Sequence, residues 1–123
     1  MEMPKLTPAV RAAYEAALPG DPRVQPKSMF GMPCAFVNGH MFYGTFQDSL
    51  VYRLSEAQRA AALQLPGVRP FEPIGRAWKE YVEAMIADVP EETLATLARQ
   101  ALEHTATLAP KEKKPAAPRK KKG

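Results

Sequence analysis

The chain has 123 residues and a formal net charge of +4, with 46% hydrophobic residues, which suffices for one core and points to one domain with a tail. A single cysteine, Cys34, rules out an internal disulfide. No apolar run reaches the roughly 18 residues that read as a membrane-spanning helix.

The charge is unevenly divided. Residues 110–123, PKEKKPAAPRKKKG, hold seven of the seventeen basic residues and one of the thirteen acidic ones. The tail therefore carries +6 and residues 1–109 carry −2. The N-terminal ten residues show no basic stretch leading into an apolar one, so no secretory leader is expected. Together with the lone cysteine this favours a reducing cytoplasm.

Thr7-Pro8 opens the first predicted helix, with Thr as the cap and Pro at the first helical position. Val10, Ala13, Tyr14, Ala17 and Leu18 follow at helical spacing as one apolar stripe. Pro19-Gly20-Asp21-Pro22 ends it, and the flanking prolines hold Arg23 to Lys27 extended.

Ser28 to Leu54 predicts an antiparallel meander over residues 34–37, 40–46 and 49–54. Asn38-Gly39 is the preferred pair for a type I′ turn, in which both central residues need positive φ. A second two-residue turn is expected at Gln47-Asp48. Simple pairing places Cys34, Phe36, Met41, Tyr43, Leu50, Tyr52 and Leu54 on one face, expected to be the core. Ala35, Val37, His40, Phe42, Gly44, Phe46, Val51 and Arg53 then share the other, wetter face.

Ser55 and Gln58 have capping-box spacing for a helix running to about Leu63, ended by Pro66-Gly67. Val68 to Pro73 reads as a loop or an edge strand. In residues 77–87, Trp78, Tyr81, Val82, Met85 and Ile86 suit a helix, yet Trp78 to Val82 equally suits a strand. A last helix from about Pro90 to Leu108 buries Leu94, Leu97, Ala98, Ala101, Leu102 and Leu108. The Lys/Pro/Ala tail has no apolar side chain larger than Ala and is expected to be disordered.

Met29-Phe30-Gly31 before a short strand, His40-Met41-Phe42 after the Asn-Gly turn, Tyr52-Arg53-Leu54, and the later PFEPIGRAWKEYV together resemble the TfoX N-terminal domain family. That family includes the N-terminal half of the TfoX/Sxy competence regulator. The resemblance covers roughly residues 7–110, with Trp78 where Met is usual. It implies an α+β fold: an antiparallel sheet of the central meander plus one or two further strands, with helices mainly on one side. It also implies that Trp78 to Val82 is a strand. The regulator's second domain has no counterpart here.

The residues point to no catalytic site, cofactor or metal. Cys34 lies on an apolar strand, with no adjacent cation in sequence to activate it. His40 and His104, the only histidines, lack ligand-type partners at metal spacing. Asp48, Glu56, Glu72, Glu80 and Glu83 are scattered acids. Met29-Phe30-Gly31 reads as a core anchor followed by a permissive glycine.

Two features point to partners. His40, Phe42, Phe46 and Arg53 combine aromatics and cations on one sheet face, as in surfaces that stack single-stranded bases or bury a second copy. Lys111, Lys113, Lys114, Arg119, Lys120, Lys121 and Lys122 could neutralise phosphates of DNA or RNA without reading sequence. The expected function is a non-enzymatic regulatory or accessory protein that touches nucleic acid through its tail. The alternative is a protein–protein interaction module, a homodimer, with the tail as a solubility element.

Overall fold

The protein is seen here in a computed structural model that describes residues 7–29, 32–72 and 78–109. Phe30, Gly31, Pro73 to Ala77 and the basic tail lie outside the described residues, and with them the expectations about tail disorder and the Met29-Phe30-Gly31 motif.

Helix α1 spans Pro8–Ala17 and α2 spans Glu56–Ala62, while α3 spans Glu91–Ala106. The strands are β1 Gln25–Met29, β2 Met32–Val37, β3 His40–Phe46, β4 Ser49–Arg53, β5 Val68–Pro70 and β6 Tyr81–Met85. They form one antiparallel sheet in the order β1-β2-β3-β4-β6-β5. The fold is α+β, with α1 and α3 packed on each other and on β3 and β4.

Local chemistry sets these boundaries. Thr7 Oγ1 accepts from the Val10 N–H at 3.2 Å and starts α1. Ser55 and Gln58 form both bonds of a capping box on α2. Asn38 (φ 55°) and Gly39 (φ 82°) both take positive φ, as a type I′ turn needs. Gln47 also has positive φ (54°), and Phe46 pairs with Ser49 across a two-residue turn.

β1 is an addition to the expected meander. Its Pro26 lies on the sheet edge, where a missing N–H costs no ladder bond. Pro70 plays the same part on β5 at the opposite edge. β6 corrects the expected strand at Trp78 to Val82: it begins three residues later, because Trp78 to Glu80 form the turn that leads into it.

A second correction concerns the faces of the sheet. Ala35 pairs with Tyr43 but Phe36 pairs with Met41, so Phe42 is an extra residue in a β-bulge. The bulge shifts Cys34 opposite Gly44 rather than Tyr43. Ala35 and Val37 therefore face the helices, while Cys34, Phe36 and Met41 face away. Phe42, expected on the wetter face, is 0% exposed within the core. The β4 assignment stands: Leu50, Tyr52 and Leu54 are all buried in the core.

The core centres on three stacked tyrosines. Tyr14 of α1 lies 4.7 Å from Tyr43, which lies 5.4 Å from Tyr52. Tyr43 Oη donates to the Tyr14 carbonyl at 2.8 Å and Tyr52 Oη to the Leu94 carbonyl at 3.0 Å. These bonds tie α1 and α3 to one face of the sheet, and among the described residues neither helix covers the other face.

Candidate functional site

The face opposite α1 and α3 is built by rows of paired residues. Lys27, Cys34, Gly44, Val51, Glu83 and Arg69 follow one another across β1-β2-β3-β4-β6-β5. Laterally paired residues share a face, so this row is apolar in the middle and charged at both ends. Arg69 Nε bonds Glu83 Oε2 at 2.9 Å, and Ser49 Oγ donates to Glu83 Oε1 at 2.7 Å. Those partners satisfy a carboxylate that is otherwise nearly buried.

A chain of aromatic rings crosses the same face. Phe46 meets Phe71 edge-on at 5.2 Å, Phe71 meets Trp78 at 5.2 Å, and Trp78 meets Tyr81 at 5.5 Å. Backbone bonds hold the two rings contributed by the segment between β5 and β6. The Trp78 N–H donates to the Phe71 carbonyl (2.9 Å), and the Phe71 N–H donates to the Tyr81 carbonyl (3.4 Å). Beneath them is a cavity of about 200 Å³, open on one side, whose floor includes Cys34, Gly44 and Val51.

The four residues expected to share an interaction face are not together. Phe42 is in the core, on account of the bulge. Phe46 sits at the turn end of β3, beside Phe71. His40 and Arg53 meet at the opposite end, with Arg53 Nη1 3.4 Å from His40 Nδ1. Arg53 is also committed to Glu80 through Nε at 2.7 Å and lies over the Tyr81 ring at 5.9 Å. Tyr81 in turn donates to the Met41 carbonyl at 2.9 Å. Phe71, Trp78 and Tyr81 replace Phe42 as the aromatics of this face. Their signal lay in the PFEPIGRAWKEYV segment, where Trp78 and Tyr81 sit at helical spacing while Trp78 to Val82 equally suits a strand.

The hairpin turn at Asn38-Gly39 grips the end of α3. Asn38 Nδ2 donates to the carbonyls of Ala106 (3.1 Å) and Leu108 (3.4 Å). His40 Nε2 lies 2.9 Å from the Ala109 carbonyl. A carbonyl only accepts, so the ring carries its proton on Nε2, and Nδ1 accepts from Arg53. Helix ends leave carbonyls unpaired, and side-chain donors satisfy them here. Ala109, the last described residue, is thus held on the sheet rim, immediately before the basic tail in sequence.

The titratable groups have structural surroundings. Burial pushes the Cys34 thiol above its ordinary value, against a smaller opposing effect of Lys27. Burial, then the charge of Arg53, holds His104 below the usual histidine value, with Glu80 opposing. Among the described residues no three His, Cys, Asp or Glu side chains gather to hold a metal. No described helix is long and apolar enough to cross a membrane. The sequence profile of the TfoX N-terminal domain matches residues 16–105, and the chain belongs to that family. No curated protein and no solved structure matches the chain.

Proposed function

We propose that this member of the TfoX N-terminal domain family is a non-enzymatic accessory or regulatory protein, cytoplasmic, that associates with nucleic acid through its basic tail. The carrying observation is the charge division: +6 in residues 110–123 against −2 in the rest. Phosphate neutralisation with counterion release gives such a segment affinity for DNA or RNA without base readout. The sheet face offers less for this purpose, because Arg53 and Arg69 are engaged by Glu80 and Glu83. The non-enzymatic reading draws on the same surroundings. Cys34 stays a protonated thiol, and both ring nitrogens of His40 are engaged by Ala109 and Arg53. The test is binding of a labelled DNA duplex by the full chain and by a chain truncated after Ala109. Truncation should remove most of the affinity, and scrambled duplex should compete equally with any chosen sequence. Undiminished binding after truncation would reject the tail as the binding element.

A second reading is a homodimer through the uncovered sheet face. It is favoured by Trp78, a large ring of the aromatic chain left 40% exposed. Trp78→Glu should then lower the solution mass from dimer to monomer in light scattering; a monomer in both forms would reject it.

A further inference from the structure

We propose that the uncovered face of the sheet binds a small, uncharged aromatic molecule, a single ring with short apolar substituents, in the cavity bounded by Cys34, Met41, Gly44, Val51, Phe71 and Trp78. The site is separate from the tail, and its success or failure leaves the nucleic-acid reading untouched.

Size is the first argument. The cavity holds about 200 Å³, and an apolar protein cavity of about 150 Å³ stays dry and takes benzene. A ring with one or two substituent atoms fits.

Polarity is the second. The lining is carbon and sulfur almost throughout. Among the described lining residues the one hydroxyl, on Thr45, donates to the Pro33 carbonyl at 3.2 Å. Glu83, which pairs with the lining residue Val51, is already held by Ser49 and Arg69. An ionised ligand would lose its hydration and find no partner in return. An apolar ring would meet the thioether of Met41, the Cys34 sulfur and the rings of Phe71 and Trp78, all favourable contacts for an aromatic surface.

The construction of the cavity is the third. The bulge at Phe42 turns Cys34 toward Gly44. A Cβ at Gly44 would stand 3.2 Å from Cys34 Cβ and 3.6 Å from Met41 Sδ, so glycine keeps the floor open. The roof is fixed by the backbone bonds that join Trp78 to Phe71 and Phe71 to Tyr81. Because the helices pack on the other face, a ligand enters without parting the core.

The test is a titration of the ¹⁵N-labelled full chain with toluene, followed by amide and indole N–H shifts, with benzoate as the charged counterpart. Toluene should give saturable shifts centred on Gly44, Val51 and the indole N–H of Trp78, the sole tryptophan. Benzoate should bind at least about tenfold more weakly. Val51→Phe fills the cavity and should weaken toluene binding by about tenfold or more. If that variant does not fold, Cys34→Leu fills the floor from the neighbouring strand and carries the same expectation. The proposal is overturned if toluene produces no saturable shift up to its solubility. Shifts centred on α1 and α3, equal binding of benzoate, or unchanged binding by a folded cavity-filling variant would overturn it as well.

Discussion

Single residues separate the two faces of the sheet. Phe42 is 0% exposed in the core, while Phe36 is half-buried on the opposite face, with Lys27 Nζ 4.8 Å from its ring centre. Phe42→Ala should cost about 3–5 kcal/mol in denaturant unfolding, and Phe36→Ala about 1 kcal/mol. Equal losses would mean that the bulge is not formed. The three stacked tyrosines differ in a similarly testable way. Tyr43 and Tyr52 donate to backbone carbonyls, whereas Tyr14 Oη is buried with no partner among the described residues. Tyr43→Phe and Tyr52→Phe should each cost about 1 kcal/mol, and Tyr14→Phe should be neutral or stabilising. A clear loss for Tyr14→Phe in the same unfolding series would show that its hydroxyl does find a partner. Burial, aided by Cys34 and Glu15, pushes the Tyr14 phenol up to about 12, and burial pushes Tyr43 and Tyr52 up as well. Unfolded tyrosine ionises near pH ~10, so above that pH the unfolded chain binds fewer protons than the folded one. The tyrosine contribution is therefore complete below about pH 10 and is lost as pH rises through the folded values. Unfolding free energies measured from about pH 9 to 12 should fall; a flat profile would contradict the burial of these phenols.

At the scale of elements, the grip of the Asn38-Gly39 turn on α3 can be separated from the turn itself. Asn38→Gly keeps a residue suited to positive φ but removes the donor to the Ala106 and Leu108 carbonyls. Amide exchange should quicken in the last turn of α3 and stay unchanged across the β2–β3 ladder. Unchanged exchange in α3 would show that the clamp does not hold its end. Elements with strong local chemistry were legible from the residues alone: α1 from Thr7-Pro8, α2 from its capping box, the meander from Asn-Gly. β1 was not, because Pro26 argues against a strand until it is known to lie on an edge. β6 was displaced by three residues because Trp78 to Val82 reads equally as helix or strand, and the turn that leads into the strand carries no glycine or proline to mark it. The bulge leaves no compositional mark in HMFYGTF, yet by inserting Phe42 it moved Cys34, Phe36 and Met41 to the uncovered face. The candidate site suffered most from this. Phe46 and Arg53 lie on the face away from α1 and α3, but His40 pairs with Val37 on the helix side, and Phe71 and Trp78 of the cavity come from a segment joined to the meander through the β4–β6 pairing. That contact spans about thirty residues and no local pattern announces it.

Across the whole molecule, residues 1–109 are mildly acidic and residues 110–123 strongly basic, and Ala109, the last residue before the basic segment, is held on the rim beside His40. Of the seventeen Lys and Arg residues seven lie in the tail, while on the sheet face Arg53 and Arg69 are engaged by Glu80 and Glu83. The central claim is that nucleic-acid affinity resides in that tail and is electrostatic. Its most direct measurement is the salt dependence of duplex binding by the full chain and by the chain ending at Ala109. If about five tail cations meet phosphates, log K should fall against log salt with a slope near −4.5. The truncated chain should show little binding and little slope. A truncated chain that keeps the affinity and the slope of the full one would contradict the claim and move the binding surface onto the folded domain.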